Sequence, residues 1–401
     1  MASLLHYRLK RVFHFFRTGL LEGLLSEIRY SYPAKKVTIL CVTGTDGKTT
    51  TATLLYHLLT ASGMKTGLIS TVGAYIGEEV VDTGFHVTSP SPKQLHSILR
   101  TMVSRGVTHV VLETTSHGIY QYRTWGIKPE ISGLTNITHE HLDYHVTWEE
   151  YAKAKREILV NSKEVFINTQ DKGTQYLQKL RFPRSVKLHQ YTALEDMPKS
   201  IREAISKRFP EAYNQANATL AYQMSKAAAV SPTKLLEEAI LNFPGVPGRM
   251  EVVTTKPCTV IVDFAHTPNA LQRATVAAKA KLPQGGRLIT VFGCAGQRDK
   301  RKRPLMGKIS AAEADFSIFT AEDPRNENVW SIILQMKSGV ESGHDRVLTI
   351  TDRREAIDFA INHLAKAKDI VLITGKGHEQ SMAFGDIEYP WNDIAVVKEL
   401  T

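Results

Sequence analysis

The first 36 residues combine apolar positions at helical spacing with basic residues between them. Apolar side chains recur every three or four residues, which is the period of one helix face. The pattern predicts an amphipathic helix that ends before Tyr32-Pro33, because proline opposes helix continuation. Such a helix either lies on an anionic membrane surface or packs its apolar stripe on the following domain, and we favour packing. The apolar positions are Leu5, Leu9, Val12, Phe13, Phe16, Leu20, Leu24 and Ile28, with Arg8, Arg11 and Arg17 between them.

From residue 37 onward, short apolar runs alternate with helical stretches. The run 37–42 is rich in β-branched residues, a glycine-containing turn follows, and a helix ends at Gly63. Two further runs end at Glu113 and near Asn136. This alternation predicts an α/β fold with parallel sheets. We expect an N-terminal segment 1–36 followed by two domains, 37–245 and 246–401, which are separated at the Pro/Gly cluster 244–248. The strands predicted after the cluster are 259–264, 287–293, 316–321, 346–350 and 369–375.

Composition and charge narrow the class of protein. A hydrophobic content of 42% and a charged content of 22% are typical of a globular chain, and no apolar run is long enough to span a bilayer. Three widely spaced cysteines indicate a reducing cytoplasm rather than a disulfide framework. The formal charge of +10 is concentrated at the start, where residues 1–36 hold seven Lys and Arg against two Glu. The mildly basic remainder suits small polyanionic substrates at least as well as nucleic acid.

Residues 42–50 read V-T-G-T-D-G-K-T-T between a predicted strand and a predicted helix. Glycines in such a turn let backbone N–H groups face a phosphate, and the helix N-terminus adds partial positive charge. Lys48 would reach the β- and γ-phosphates and the Thr49 hydroxyl would ligate Mg²⁺. The motif is shorter than G-x-x-x-x-G-K-[ST], since Gly44 lies three residues before Gly47. We therefore expect ATP and Mg²⁺ at Gly44, Thr45, Asp46, Gly47, Lys48, Thr49 and Thr50.

The shortened motif, together with further ordered matches, resembles the Mur ligase family. The matching segments are 113–117 (ETTSH), 135–145 (TNITHEHLDYH), 151–155 (YAKAK), 214–217 (NQAN), 248–251 (GRME), 263–268 (DFAHTP), 293–300 (GCAGQRDK) and 375–379 (GKGHE). The resemblance implies a P-loop parallel-sheet ATPase domain followed by a Rossmann-like α/β ligase domain. It also implies an ATP-dependent reaction in peptidoglycan precursor synthesis, in which a carboxylate is phosphorylated and an amine attacks the acyl phosphate.

The resemblance also assigns roles to individual residues. It implies that Lys155 is carbamylated by CO₂ and that the resulting anion bridges a second Mg²⁺. It implies a catalytic set of Lys48, Lys155 and His141 and a metal set of Thr49, Glu113, His141 and Lys155. Further ATP contacts would be Asn217, Arg249, Asp263 and His266. The muramoyl-peptide would be held by Thr88, Ser89, Ser116 and Arg123.

The last motif resembles the branch of the family that adds the third residue of the stem peptide. In that branch a D-N-P-R motif reads a diamino acid, whereas this chain has E-D-P-R at 322–325. Arg325 suits the distal carboxylate of meso-diaminopimelate, whereas Asp323 adds negative charge and favours an ammonium. We favour meso-diaminopimelate over lysine. The residues assigned to the amino acid are Arg298, Asp323, Arg325, Gly375 and Glu379.

Members of that branch carry a further N-terminal domain that holds the UDP group. Only 36 residues precede the first predicted strand here, too few for such a domain, so a UDP-free or lipid-linked acceptor is also expected. We expect a cytoplasmic enzyme with small-molecule substrates, no nucleic acid, a monomeric state and possible peripheral membrane contact. A folylpolyglutamate- or cyanophycin-type ligase and a catalytically silent nucleotide-binding scaffold remain as alternatives.

Overall fold

The computed structural model describes residues 2–77, 79–81, 89–138, 142–229, 232–341 and 344–401. The chain divides into two compact units, Met1–Pro244 and Gly245–Thr401. Each unit is built around its own sheet, so each is described separately. Within the described residues, no helix is both long enough and apolar enough to cross a bilayer.

An eight-stranded sheet in the order β4-β3-β2-β5-β1-β6-β7-β8 forms the centre of the first unit's described part. β1 is buried along most of its length and pairs in parallel with β5 and β6. The carboxyl ends of these parallel strands therefore meet at one edge of the sheet, where ligands bind in open α/β folds. The strands are β1 Thr38–Thr43, β2 Thr66–Ser70, β3 Gly73–Ile76, β4 Glu79–Val81, β5 His109–Glu113, β6 Ile131–Leu134, β7 Glu164–Asn168 and β8 Lys187–Tyr191.

Helices connect these strands and bury their apolar faces on the sheet. α4, for example, buries Leu95 and Leu99 in the core and begins with a capping box between Ser91 and Gln94, which satisfies otherwise unpaired N–H groups. The helices are α1 Ala2–His14, α2 Leu24–Arg29, α3 Lys48–Ala61, α4 Pro92–Ser104, α5 Ser116–Tyr120, α6 Leu142–His145, α7 Trp148–Val160, α8 Lys172–Lys179, α9 Lys199–Arg208, α10 Ala212–Ala227 and α11 Thr233–Leu241.

The predicted N-terminal helix is present, but its apolar stripe does not pack on the unit. α1 continues through a π-helical stretch, Phe15–Gly23, into α2, and the junction residues keep right-handed helical dihedrals. The face that packs mixes aromatic, small and polar residues, with Tyr7 and Glu27 buried and Phe15 half-buried against Trp125. The stripe expected to cover the domain is exposed instead, so that part of the prediction is wrong. The exposed residues of the stripe are Leu5, Leu9, Val12, Phe13, Phe16, Leu20, Leu24 and Ile28.

In the described part of the second unit, a six-stranded sheet has the order β13-β12-β11-β14-β10-β9, and only β9 is antiparallel. A separate hairpin pairs β15 with β16. The strands are β9 Glu251–Thr254, β10 Thr259–Asp263, β11 Leu288–Phe292, β12 Phe316–Phe319, β13 Val347–Thr349, β14 Ile370–Thr374, β15 Ser381–Phe384 and β16 Ile387–Pro390. The helices are α12 Pro268–Lys279, α13 Lys302–Glu313, α14 Val329–Lys337, α15 Arg353–Asp358, continued by a π-helical stretch Phe359–Leu364, and α16 Asp393–Leu400.

A buried ion pair ties the carboxyl ends of two of these strands together. Arg353 binds the Asp393 carboxylate at 2.8 and 2.7 Å, and both side chains are fully buried. The same guanidinium donates to the carbonyls of Ala321 and Thr374 at 3.1 and 2.9 Å. These carbonyls lie just after β12 and at the end of β14, so the pair fixes the start of segments 322–325 and 375–379.

Most of the predicted strands are present in the structure. All five strands predicted beyond residue 248 are present as β10 to β14, and the run ending at Glu113 is β5. The run expected to reach Asn136 ends at Leu134 instead. Thr135 and Asn136 leave the sheet because their side chains bond to the preceding glycine-containing turn. The strands β2, β7 and β8 and the short antiparallel strands β3, β4, β9, β15 and β16 were not predicted.

Removing one charge of the buried pair should destabilise the second unit strongly. Asp393→Asn leaves the Arg353 guanidinium buried without a counter-charge, which costs about 3–5 kcal/mol. Glu399→Gln is a matched control because Glu399 pairs with the adjacent Arg354 on the surface, where such pairs contribute below about 1 kcal/mol. Urea unfolding followed by circular dichroism compares the two variants. Equal losses would contradict a structural role for the buried pair.

Candidate active site

The turn between β1 and α3 has the geometry expected for a phosphate-binding loop. Gly44 and Gly47 have φ angles of 151° and 77°, a range that favours glycine. A Cβ on Gly47 would overlap the side-chain amide of Asn217, so backbone and amide lie in close contact. The Lys48 ammonium folds back to donate to the Thr45 carbonyl at 2.8 Å. The first turn of α3 also contains Thr49, which is buried, and Thr50, which is half-buried.

The segment after β6 holds this loop in place. Thr135 Oγ1 donates to the Asp46 carbonyl at 2.6 Å, and the Asp46 N–H donates to Asn136 Oδ1 at 3.0 Å. The Thr45 N–H donates to the Asn136 carbonyl at 2.9 Å. The Thr45 hydroxyl also lies 2.9 Å from the Tyr151 hydroxyl. These bonds hold the loop in one conformation, which is the preorganisation that a binding site needs.

Glu113 ends β5 with a carboxylate that is only 1% exposed. Thr49 Oγ1 donates to Oε1 at 3.1 Å, Thr71 Oγ1 donates to Oε1 at 3.0 Å, and the Thr71 N–H donates to Oε2 at 3.0 Å. All three partners are neutral. A buried carboxylate beside a hydroxyl offers the hard oxygen ligands that Mg²⁺ prefers, so these residues fit a divalent cation. Within the described residues no cluster of three or more His, Cys, Asp or Glu could hold a metal, and His141 lies outside that part.

Lys155 lies on the other side of the same loop. Its side chain is 1% exposed, its Nζ donates to the Gly44 carbonyl at 2.5 Å, and it lies 4.6 Å from the centre of the Tyr151 ring. The helix that carries it, α7, begins with a Thr147 cap. A lysine on the surface of a helix normally keeps its amine in solvent, whereas this amine is buried beside the first glycine of the loop. The position supports a role for Lys155 in the site.

Three of the residues assigned to the muramoyl-peptide lie together. Arg123 Nη1 donates to the Ser89 carbonyl at 2.7 Å, and Ser89 Oγ lies 2.9 Å from Thr115 Oγ1. Ser116 follows Thr115 at the start of α5. Burial lowers the pKa of the Arg123 guanidinium, but arginine remains charged in proteins. The cluster therefore combines hydroxyl groups with one cation, while Thr88 lies outside the described residues.

A contact between α1 and this cluster was not anticipated from the sequence. Tyr7 OH lies 2.8 Å from His145 Nδ1, and His145 Nε2 lies 3.0 Å from Ser116 Oγ. Tyr120 OH donates to the Tyr7 carbonyl. Burial raises the pKa of Tyr7, which keeps its hydroxyl protonated and able to donate. The donation would leave the His145 proton on Nε2, directed at Ser116.

In the second unit, Asp263 ends β10 and accepts two backbone hydrogen bonds. The N–H groups of Met250 and Ala265 donate to its two oxygens at 2.7 and 2.8 Å. Burial raises the pKa of Asp263, while Arg249 and the two N–H donors oppose the shift. The carboxylate therefore holds the turns at 249–250 and 264–265 together, which is a structural role in addition to the nucleotide contact predicted for it.

Arg249 and His266 both lie against the aromatic ring of Phe264. The Arg249 guanidinium lies 4.5 Å from the centre of the Phe264 ring, and the His266 ring lies 4.7 Å from it. The Nε atom of Arg249 is buried and has no hydrogen-bond partner among the described residues. An unpaired buried N–H is costly, so this donor is a position where a bound acceptor would stabilise the unit.

The Asp323 carboxylate is paired with Lys376, which changes the expectation that its negative charge favours an ammonium group of the substrate. Lys376 Nζ lies 2.8 Å from Asp323 Oδ1 and 2.5 Å from Glu379 Oε2, and the Ala383 N–H donates to Asp323 Oδ1 at 2.9 Å. Burial would lower the pKa of Lys376, but the two carboxylates raise it above its usual value. The negative charge that the motif gains at Asp323 is therefore compensated within the unit, and it does not select an ammonium by itself.

Arg325 and Glu322 flank this pair. Arg325 Nη1 donates to the Gly296 carbonyl at 2.8 Å. Glu322, which the sequence analysis did not assign, is buried, and a Cβ on Gly375 would overlap its carboxylate. Its Oε2 atom has no hydrogen-bond partner among the described residues, and burial raises its pKa to about 7. Arg298 is exposed. The only signal for Glu322 in the sequence was its position before Asp323.

Comparison with known proteins agrees with this architecture. Residues 42–230 match the model of the Mur ligase middle domain, and residues 248–377 match that of the Mur ligase glutamate ligase domain. The matches cover most of the chain, so the chain belongs to the Mur ligase family. It is therefore an ATP-dependent ligase by class.

The relatives narrow the branch of the family. The chain is 33% identical over 397 residues to the UDP-N-acetylmuramoyl-L-alanyl-D-glutamate–2,6-diaminopimelate ligase of Clostridium botulinum, covering 94% of this chain and 80% of the relative. A solved ligase of the same name is 29% identical, with a TM-score of 0.61 over 94% of this chain and 82% of the other. A folylpolyglutamate/dihydrofolate synthase from Yersinia pestis, solved with AMPPNP and Mn, shares the fold at 17% identity, with a TM-score of 0.69 over 90% and 92%.

Tyr7→Phe should disturb His145 without altering the core. The substitution removes the donor to the buried Nδ1 atom, and leaving a buried acceptor unsatisfied costs about 1–3 kcal/mol. We expect nitrogen NMR to show a loss of the single Nε2-protonated form of His145. Tyr75→Phe is the control, because the Tyr75 hydroxyl donates only locally to Val72. An unchanged His145 tautomer in Tyr7→Phe would contradict the assigned hydrogen bond.

Proposed function

We propose that this chain joins meso-diaminopimelate to a carboxylate of a muramoyl-dipeptide in peptidoglycan precursor synthesis. The observation that carries the proposal is the compensated charge of Asp323, which leaves the Arg325 guanidinium to select a second carboxylate. The relatives named as 2,6-diaminopimelate ligases support the same substrate. In the reaction the acceptor carboxylate takes the γ-phosphoryl group of ATP and ADP leaves. The amine then attacks the acyl phosphate, giving an amide and inorganic phosphate.

In the first unit, we assign the loop 44–50 to the phosphates of ATP. The open backbone at Gly44 and Gly47, the Lys48 ammonium and the N-terminus of α3 suit a triphosphate. Asn217 lies against the loop at Gly47, which supports its assignment as an ATP contact. In the second unit, Arg249 with its unpaired Nε, Asp263 and His266 are the residues we assign to ATP.

Mg²⁺ would be held by Thr49 and Glu113, and His141 is proposed as a further ligand. When bound, the ion would neutralise phosphate charge during transfer. The Yersinia pestis enzyme with the same fold was solved with AMPPNP and Mn, which supports a divalent cation here. Glu113 keeps the Thr49 hydroxyl in position through their 3.1 Å bond, so both oxygens are ready before the ion binds.

Lys155 is proposed to act as a carbamate. Attack of its neutral amine on CO₂ forms an N–C bond and, with loss of a proton, gives an anion in place of a cation. The amine lies against the Gly44 carbonyl in a buried position. The resulting oxygens would add anionic ligands beside the phosphate loop.

The acceptor and the amino acid use different units of the chain. Ser89, Ser116 and Arg123 offer hydroxyl groups and a cation for the peptide, and Thr88 is proposed to join them. In the second unit, Arg325 and Arg298 would bind carboxylates of the amino acid. The carboxylates of Glu322 and Glu379 would bind its ammonium groups. The Oε2 atom of Glu322, which lies close to Gly375, is a buried acceptor without a partner among the described residues.

The function is tested by ADP release from purified protein with ATP and muramoyl-L-alanyl-D-glutamate. Each amino acid is supplied in turn, and the acceptor is supplied with and without its UDP group. We expect release with meso-diaminopimelate and far less with lysine, which lacks the second carboxylate. Mass spectrometry should show the tripeptide product. Equal use of the two amino acids, or release without product, would sink the proposal.

Arg325→Ala should raise the KM for meso-diaminopimelate and leave the KM for ATP nearly unchanged. The lost charge-assisted pair is worth about 2–4 kcal/mol, or roughly 30- to 700-fold in KM. Arg346→Ala removes the same charge from an exposed position in the same unit and should have little effect. Parallel increases in both KM values of Arg325→Ala would remove Arg325 from the amino-acid site.

Lys155→Ala should lower kcat by roughly 100-fold or more, because the site would lose the anionic ligand proposed for a second Mg²⁺ beside the transferred phosphoryl group. Short carboxylates added to the solution should restore part of the activity by replacing the carbamate oxygens. Lys153→Ala is the matched control, since Lys153 lies on the same helix but is half exposed and pairs with Glu150. Full activity of Lys155→Ala would show that the carbamate assignment is wrong.

A further inference from the structure

The N-terminal helix presents one continuous apolar face to solvent. Its central row, at 5, 9, 12, 16, 20, 24 and 28, advances by three or four residues, which keeps the side chains on one side of the helix. Leu5, Leu9 and Leu21 are 62%, 60% and 62% exposed. From here on, the apolar stripe includes Leu21 and Leu25 besides the eight positions expected from the sequence, and all ten side chains are exposed. Over a helix of about 40 Å, such a patch exceeds what isolated surface leucines produce.

The opposite face of the same helix is already packed. Arg11 pairs with Glu157, and a Cβ on Gly19 or Gly23 would overlap the Trp125 ring. Tyr7 is buried against the unit through its contact with His145. The helix therefore has its full set of contacts with the unit without using the stripe. Rotating the stripe inward would break these contacts and bury charged groups.

Basic residues border the stripe. Arg8, Lys10, Arg17 and Arg29 are exposed, and exposed Lys35 and Lys36 follow the helix. The two acidic residues of the helix do not balance them, because Glu27 is buried and Glu22 is half-buried. An apolar face flanked by cations is the arrangement of a helix that lies in the interface of a membrane. The charges add attraction to anionic headgroups.

We propose that the apolar stripe binds the surface of an anionic lipid bilayer. A second copy of the chain fits less well, because a symmetric pairing of two stripes would bring the same basic residues together and like charges across an interface are unfavourable. A spanning role is excluded for the described helices by their length and polarity. The apolar side chains would enter the boundary between headgroups and acyl chains, while the lysines and arginines would contact lipid phosphates.

The test is co-sedimentation of the full chain with vesicles of phosphatidylglycerol and phosphatidylcholine, compared with vesicles of phosphatidylcholine alone. We expect binding to the mixed vesicles that weakens as salt screens the charges. Leu9→Ser with Leu21→Ser should lower the binding constant at least about tenfold. Leu305→Ser with Leu334→Ser is the matched control, because these leucines are exposed to a similar degree on helices of the second unit, and it should bind as the parent protein does.

The charge contribution is measured with a second pair of variants. Lys10→Gln with Arg17→Gln should weaken binding to the mixed vesicles by roughly fivefold per charge. Lys128→Gln with Arg184→Gln, at exposed positions of the same unit, should have little effect. Melting curves confirm that all variants are folded, since exposed substitutions leave stability nearly unchanged.

Three results would overturn the proposal. The first is that the full chain stays in the supernatant with mixed vesicles at low salt. The second is equal loss of binding in the leucine variants and in their controls. The third is a lipid-free dimer, detected by sedimentation, that Leu9→Ser with Leu21→Ser converts to a monomer, because the stripe would then be an interface between copies.

Discussion

The buried carboxylate of Glu113 is the constraint on which the first unit's site depends. A carboxylate taken out of water at the end of a strand must be hydrogen-bonded, and its partners come from two other elements. Thr49 belongs to the first turn of α3, and Thr71 follows β2. The carboxylate therefore fixes the start of the helix that carries Lys48 relative to the sheet edge. The same bonds keep the Glu113 carboxylate and the Thr49 hydroxyl side by side at this edge of the sheet.

In the second unit the buried charge is a cation, and it too must be hydrogen-bonded. Arg353 satisfies its donors with the Asp393 carboxylate and with carbonyls at the ends of two neighbouring strands. Such a pair adds little stability over an apolar replacement, but it fixes where the segments 322–325 and 375–379 leave the sheet. Asp323 and Lys376 then meet at 2.8 Å. The charge at Asp323 is thus interpretable only together with a residue 53 positions away.

The sequence could predict features that depend on neighbouring residues, but not contacts between residues that are far apart along the chain. The parallel strands and the loop at 44–49 have local signals, namely buried β-branched runs and a glycine turn before a helix. Other features depend on side chains that the fold brings together. These are the Asp323–Lys376 pair, the position of the Glu322 carboxylate and the contact of Tyr7 with His145. The helix at 2–29 was predicted from its period, yet the period cannot tell which face packs. Small residues at Gly19 and Gly23 let the Trp125 ring approach, and this decided the orientation.

The two faces of the N-terminal helix can act independently. The packed face contacts Ser116 through Tyr7 and His145, whereas the side chains of the stripe are exposed. Binding at the stripe alters the cluster only if the bound helix prefers a different position on the unit. The Arg11–Glu157 pair and the glycine contacts with Trp125 oppose such a movement. A bilayer bound at the stripe would therefore hold the enzyme at a surface while leaving the geometry around Ser116 unchanged.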